Sequence, residues 1–144
     1  MNKNYPNSMK TVFPGLVLGL TIFAATADAQ TFDLKGSMEK GKEVYAAYCI
    51  TCHMENGEGI ESVFPPLAKS DYLMADRKRS ILQVMNGVSG EMKVNGVTYN
   101  GEMTSFGLSD EEVSHVLNYI RNSFGNKDKG GAVKPADVTA LRTK

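Results

Sequence analysis

Residues that bind metals through sulfur or nitrogen are scarce in this sequence. Only two of its 144 residues are cysteine, and only two are histidine. An excess of charge of one sign is also missing, because 16 basic residues balance 16 acidic ones. The formal net charge of zero therefore gives no support for a nucleic-acid partner or for a strongly acidic substrate. The length of the chain predicts one domain, and its composition is ordinary for a globular protein.

A long hydrophobic run is missing as well, and the most apolar segment lies close to the N-terminus. This segment, TVFPGLVLGLTIFAATA, is too short to predict a membrane span. Lys3 and Lys10 precede it, and Ala27-Asp28-Ala29 provides a small-x-small cleavage pattern. We therefore expect residues 1–29 to be a secretory signal peptide and the mature protein to have no stable membrane span. A retained anchor or a buried helix is the alternative, against which Pro14 and the length argue.

Three segments of the remaining chain have apolar residues at helical spacing. The last of them has the clearest start, because Glu112 completes a capping box with Ser109. The predicted helices cover residues 37–49, 77–86 and 110–123, and their predicted N-caps are Ser37, Asp76 and Ser109.

Other segments predict turns and loops. Asn95-Gly96 lies between two short β-prone segments, which indicates a small two-stranded hairpin. Residues 53–70 are rich in Gly, Pro, Asn and Glu and are predicted to form a long loop. A short helix is expected over Pro135–Leu141 in an otherwise polar tail. Such a domain has little apolar surface to bury, so a large apolar guest would supply much of its core.

Three of the four cysteines and histidines lie within five residues. Cys49-Ile50-Thr51-Cys52-His53 has the form C-x-x-C-H, which is the attachment pattern for c-type haem. Thiols at positions i and i+3 emerge on one side of a helical turn, where each can add to one haem vinyl group. The adjacent imidazole of His53 can then point at the iron.

Other sites could use the same residues. A thioredoxin-like dithiol needs a βαβ context, which the helix-and-loop pattern does not have. A structural zinc site needs four ligands, and the chain offers only Cys49, Cys52, His53 and His115. The remaining alternative is a simple disulfide between the two cysteines of an exported protein.

With these features the chain resembles the class I c-type cytochromes, in particular the bacterial monohaem members, over residues 37–125. Gly41 and Tyr45 are similar to the glycine and the aromatic residue at the crossing of the first and last helices of that family. Their expected partners on the last helix are Val116 and Tyr119, or alternatively Leu117 and Ile120.

The resemblance implies an all-α fold, with about three main helices around one haem and a small β-hairpin in the distal loop. The cofactor is haem c, attached through Cys49 and Cys52. The implied domain organisation is a short leader over residues 30–36, the cytochrome c domain over 37–125 and a polar C-terminal tail over 126–144.

The resemblance also assigns the iron ligands. His53 is expected to be the proximal ligand and Met103, in a loop before the last helix, the distal one, with Met92 in reserve. In many relatives a proline follows the distal methionine, whereas here Thr104 follows and leaves the backbone freer. Met85 lies in an amphipathic helix stripe and is expected in the core.

Further residues are expected to support the haem. A backbone carbonyl at Pro65 or its neighbour is expected to accept a hydrogen bond from Nδ1 of His53, which would fix the ring. Tyr99 and Phe106 are expected to pack against the haem. His115 falls off the apolar line of its helix and is expected at the surface or its boundary.

The implied function is one-electron transfer in the periplasm, through Fe(III)/Fe(II) cycling and without bond-making on a substrate. We therefore expect a carrier rather than an enzyme, with redox proteins as partners, among them a larger periplasmic oxidoreductase. The alternative is a small haem enzyme or gas-binding protein with an open distal iron position. Arg77-Lys78-Arg79 is expected to be a solvated helix start, or else a docking patch for an acidic redox partner.

Overall fold

The computed structural model describes residues 1–2 and 31–142. The predicted signal peptide falls, apart from its first two residues, outside this described part. From Thr31 onward the chain forms one compact unit. None of the helices in the described part combines the length and the apolar character needed to cross a membrane.

The described part is mostly helical, with one small antiparallel sheet. Three longer helices and a hairpin occur where the sequence predicts them, and two short helices and a helical tail complete the fold. The elements are α1 (Leu34–Tyr48), α2 (Ile50–His53), α3 (Asp71–Ala75), α4 (Arg77–Asn86), β1 (Val88–Val94), β2 (Val97–Met103), α5 (Asp110–Asn122) and α6 (Pro135–Arg142).

Helix α1 begins three residues earlier than predicted. Its N-cap is Asp33, whose carboxylate accepts a hydrogen bond from the backbone N–H of Gly36, so the prediction of Ser37 as N-cap is wrong. Ser37 is instead buried. Its hydroxyl lies 2.8 Å from Nδ1 of His115 and accepts a hydrogen bond from the Asn118 amide at 2.9 Å. The Ser37 side chain, which the local pattern predicts as an N-cap, therefore makes its hydrogen bonds with residues of α5 instead.

The crossing of α1 and α5 has no room for a side chain at Gly41. A Cβ atom there would lie 1.9 Å from the backbone oxygen of His115 and 2.8 Å from Cβ of Tyr119. One turn further on, the rings of Tyr45 and Tyr119 pack with their centroids 5.6 Å apart. The predicted crossing at Gly41 and Tyr45 is thus confirmed, with Tyr119 as a direct partner of both.

The starts of α4 and α5 follow the sequence. Asp76 accepts a hydrogen bond from the backbone N–H of Arg79 at 2.9 Å and caps α4. Ser109 and Glu112 form the complete capping box of α5. Both N-cap predictions are confirmed, because these contacts are local.

The hairpin is longer than its turn signal indicates. Asn95 and Gly96 both have positive φ, 51° and 85°, as a tight two-residue hairpin turn requires. From this turn the strands pair over seven residues each, as far as Val88 opposite Met103. Met103 is therefore the last residue of β2 and not, as predicted, a loop residue, because backbone pairing with β1 extends the strand.

The C-terminal tail is part of the core. Its helix is present as predicted, but Val133 and Val138 are fully buried. Asn118 on α5 accepts a hydrogen bond from the backbone N–H of Val133 at 2.7 Å and donates one to its carbonyl at 2.8 Å. A buried amide thus joins the tail to α5, which the polar composition of the tail does not reveal.

The basic run at the start of α4 is only partly solvated. The Arg79 guanidinium lies 3.7 Å above the ring of Tyr72, and Arg77 pairs with Asp128 at 3.4 Å. Asp128 is nearly buried and also pairs with Arg121 at 2.7 Å. Arg77 and Arg79 are therefore paired within the molecule while they stay partly exposed, so the prediction of a solvated start holds only for the exposed Lys78. A docking patch for an acidic partner stays a prediction.

Candidate functional site

A large cleft lies between the cysteine motif and the hairpin. Its empty volume is about 1280 Å³, with the solvent at its mouth included. The wall consists mainly of aliphatic, aromatic and proline side chains, which suits an apolar ligand of cofactor size. Apolar residues that line it include Val63, Phe64, Pro65, Pro66, Leu67, Leu73, Val84, Val88, Met92, Val94, Tyr99, Met103, Phe106, Val116 and Ile120.

Cys49, Cys52 and His53 line one end of this cleft. They lie on a single helical turn, because the N–H groups of Cys52 and His53 both donate to the carbonyl of Cys49, at 3.2 and 2.9 Å. Both cysteines are free thiols and partly buried. The helical turn therefore presents two thiols and one imidazole to the same space.

The thiol of Cys49 is a weak acid. Burial, and after it the neighbouring Cys52, raises the pKa of Cys49 to about 11. A redox dithiol needs the opposite shift, since the thiolate is the reactive form. Together with the absence of a βαβ unit in the described part, this argues against the thioredoxin-like alternative.

His53 is held from behind by the long loop. Its Nδ1 donates a hydrogen bond to the carbonyl of Pro65 at 2.9 Å, which leaves Nε2 as the nitrogen available to a metal. Burial lowers the pKa of His53, although the hydrogen bond to Pro65 opposes the shift. The lowered pKa favours the neutral form of the ring, which is the form that binds metals.

Gly59 allows the loop to approach His53 so closely, and sequence reasoning missed it. It has φ of +63°, and a Cβ there would lie 2.3 Å from the carbonyl oxygen of Phe64 and 2.8 Å from that of Pro65. Its N–H also donates to the carbonyl of His53 at 3.1 Å. The signal for it was the glycine-rich composition of the loop, which does not indicate a particular position.

The hairpin provides the facing wall. Met92 is paired with Tyr99, and Val88 with Met103, so all four side chains lie on one face of the sheet. All four line the cleft. The fold thus brings both predicted thioethers to the cleft, and the Tyr99 side chain beside them is buried. Met85 is buried in the core, as predicted.

Phe106 lies at the mouth of the cleft and is 47% exposed. Its ring packs against Tyr48, with the centroids 5.6 Å apart. His115 does not line the cleft and belongs to the contact with Ser37 instead. The four ligands of the zinc alternative are therefore not assembled, and in the described part no three His, Cys, Asp or Glu side chains are grouped to hold a metal ion.

A polar corner of the cleft was not predicted from the sequence. Tyr72 and Gln83 both line the wall, and the Gln83 amide donates to the Tyr72 hydroxyl at 3.0 Å. The Arg79 guanidinium stacks on the Tyr72 ring. The corner was missed because the short helix α3, which carries Tyr72, has no periodic pattern to indicate it.

These residues fit a haem attached through both cysteines. The cleft is large and mainly apolar, two thiols emerge from one helical turn, and a neutral imidazole is oriented beside them. Thioethers line the facing wall, and a polar corner with a nearby cation suits anionic haem substituents.

Comparisons with known proteins agree with this fit. A family model described as Cytochrome c matches residues 38–124. The chain is 40% identical to cytochrome c-552 of Thermus thermophilus, over 72% of this chain and 85% of that protein. It is 33% identical to the cytochrome c subunit of the quinone alcohol dehydrogenase of Gluconobacter oxydans, over 96% of this chain and 29% of that subunit. It is 32% identical to subunit CcoP of the cbb3-type cytochrome c oxidase of Azospirillum brasilense, over 62% of this chain and 29% of that subunit.

Proposed function

This chain belongs to the cytochrome c family, and from that premise we propose that it is a periplasmic monohaem carrier of single electrons between redox proteins. A bound haem c supplies the one-electron Fe(III)/Fe(II) chemistry. One electron enters from a reduced donor protein and the same electron leaves to an oxidised acceptor, so no atom is transferred.

We assign haem attachment to Cys49 and Cys52, and one haem to the chain, because it has one C-x-x-C-H motif. The helical turn from Cys49 to His53 supports this assignment, since it holds both thiols and the imidazole on one wall of the cleft.

We assign proximal ligation to His53 and distal ligation to Met103. The hydrogen bond to the Pro65 carbonyl restricts the His53 ring to one orientation and makes Nε2 a better electron donor. Pairing of Met103 with Val88 holds the backbone of the thioether in a sheet rather than in a free loop. This restraint offsets the lack of a proline after Met103.

The remaining wall residues exclude water. Tyr99 and the apolar residues of the hairpin cover the distal side, and Phe106 covers part of the mouth. Because little water reaches the haem and its ligands are fixed, the reorganisation energy of electron transfer is small. In this proposal residues 1–29 direct export, the domain that holds the haem runs from the start of α1 to residue 125, and the tail over residues 126–142 supports α5.

We further propose that a partner is a periplasmic oxidoreductase. The similarity to cytochrome c subunits of a dehydrogenase and an oxidase supports this, since those relatives are named as parts of such enzymes. The shared lengths are less than a third of those subunits, so the proposal concerns the kind of partner and not its identity.

The observation that carries the proposal is the thiol pair beside the oriented imidazole in a cleft of cofactor size. We expect the purified protein, after acid precipitation, to be heavier than its processed chain by the mass of one haem. The control is a chain with both Cys49→Ala and Cys52→Ala, which should show no increment. A wild-type mass equal to that of the processed chain would refute haem attachment.

Two methionine variants test the distal ligand. Met103→Ala should lose the weak long-wavelength band of sulfur ligation and become high-spin in the ferric state, because the iron loses its thioether. Met92→Ala should keep that band. The reverse pattern would assign the ligand to Met92, and a wild-type protein that is already high-spin and binds carbon monoxide rapidly would favour the open-iron alternative.

A further inference from the structure

Exposed apolar side chains gather at the mouth of the cleft. Within residues 31–142 the exposed large apolar side chains are Tyr48 at 41%, Ile60 at 43%, Val63 at 55% and Phe106 at 47%. Three of them, Tyr48, Val63 and Phe106, also line the cleft. Clustered exposed apolar groups mark interaction sites more often than single ones do.

These four residues, which we call the mouth patch, come from three parts of the chain that touch. The rings of Tyr48 and Phe106 pack with centroids 5.6 Å apart. The loop reaches the hairpin beside Val63, whose carbonyl oxygen lies 3.8 Å from where a Cβ of Gly101 would be. Ile60 is tied to the same loop by its bridge to Phe64. The patch is therefore one surface around the mouth.

The chain around the mouth patch is acidic. Residues 49–68 and 94–120, which include the motif, β2 and most of the loop and of α5, contain no lysine and no arginine. Lys69, near the end of the loop, packs its side chain beside Gly125, and Arg121, near the end of α5, is buried and paired with Asp128. Asp110 pairs with Arg142, and Glu112 is used in the capping box. Glu61 and Glu102 are exposed and make no ion pair with the residues that the structure describes. Glu61 lies between Ile60 and Val63 in sequence, and Glu102 lines the cleft.

We propose that the mouth patch is the docking surface for a redox protein whose own docking face is apolar at its centre and rimmed by lysine or arginine. The inference rests on the proposed function, because an electron must cross where the cofactor is nearest the surface. Unpaired carboxylates steer a basic partner to the cleft, and the apolar centre then makes close contact without a stable complex. The mouth patch thus indicates a basic partner, whereas the basic run that starts at Arg77 would indicate an acidic one.

Electrodes with defined surfaces test this without knowledge of the partner. We would measure electron exchange of the haem-loaded protein at gold coated with mixed ammonium and methyl groups, and with mixed carboxylate and methyl groups. Exchange should be roughly tenfold faster on the ammonium surface at low ionic strength, and the difference should disappear at high salt. Equal rates, or faster exchange on carboxylate, would overturn the docking proposal while leaving the carrier intact.

Charge variants locate the effect. Glu61→Lys with Glu102→Lys should abolish or invert the preference for ammonium, whereas Glu39→Lys with Glu43→Lys, on the exposed side of α1, changes the net charge equally and should keep it. Loss of the preference in both pairs would show that net charge and not the mouth patch is responsible. The visible spectrum of each variant confirms that the haem site is unchanged. If no reversible signal occurs on any surface, the proposed carrier function itself fails.

Discussion

The crossing of α1 and α5 and the cleft beside it differ in how closely the chain packs against itself. At the crossing, backbone and side chains meet so closely that even a methyl group at Gly41 does not fit. In the cleft, the long loop and the hairpin line a space of about 1280 Å³, and they approach each other beside Val63 and Gly101. The helical half is therefore stabilised by contacts within the chain, whereas the half formed by the loop and the hairpin depends on a cofactor for much of its apolar contact.

The largest difference between the halves should appear when the haem is not attached. In a chain with Cys49→Ala and Cys52→Ala, we expect the backbone amides of β1 and β2 to exchange nearly as fast as in an unfolded chain, because an isolated hairpin is marginal. The amides of α5 should keep more of their protection. Hydrogen exchange measures both, and Thr51→Ala, which leaves the attachment motif intact, is the control. Equal loss in both halves would show that they form one cooperative unit.

The helical half should be sensitive to loss of Asp128. Asp128→Ala leaves the buried guanidinium of Arg121 without its carboxylate, which costs about 3 kcal/mol at neutral pH. Urea unfolding of the haem-loaded protein measures this, with Glu39→Ala as an exposed control that makes no ion pair in the described residues. A change below about 1 kcal/mol would contradict the assigned role.

The effect of Asp128 should also depend on pH. Burial raises the pKa of Asp128, but hydrogen bonds from Arg121 and from the backbone of Gly130, with the charges of Arg121 and Arg77, outweigh it and hold the pKa below its usual value. The stabilisation is therefore complete above the ordinary aspartate pKa of about 3.9 and is lost as the pH falls through the lower folded-state pKa. The free-energy difference between wild type and Asp128→Ala should shrink in that acidic range.

A smaller effect is expected for Gly41→Ala. Alanine normally stabilises a helix by up to about 1 kcal/mol relative to glycine, but here its Cβ would clash with the His115 carbonyl, so we expect a net loss of about 2 kcal/mol. Lys42→Ala, at an exposed position of the same helix, should have little effect. Unchanged or increased stability of Gly41→Ala in urea would mean that the crossing can separate at little cost.

The comparison also explains what the sequence predicts well. The capping box at Ser109, the cap at Asp76 and the Asn95-Gly96 turn are contacts between near neighbours, so a local pattern is enough to predict them. The C-x-x-C-H motif is also local, because its spacing alone places the cysteines on one helical turn. Gly41 was identified by resemblance to a family rather than by a local signal.

Features that join distant residues were not predicted. Asn118 holds the backbone of Val133, which is 15 residues away in sequence. Asp128 joins Arg121 to Arg77, and Arg77 is 51 residues away from it. Nothing in the sequence near either residue indicates its partner. The polar corner at Tyr72 was missed for the same reason, because its members meet only after α3 and α4 have packed.

Helix α1 runs without a break from its contact at Gly41 to the residue before Cys49. Eight residues of helix span about 12 Å, so a tilt of about 10° at the contact would move the first thiol by about 2 Å. A small change in the orientation of α1 at the crossing therefore produces a larger displacement at the C-terminal end of the helix. The position of the Cys49 thiol, which we propose to anchor the haem, is therefore set at a contact about two helical turns away from it.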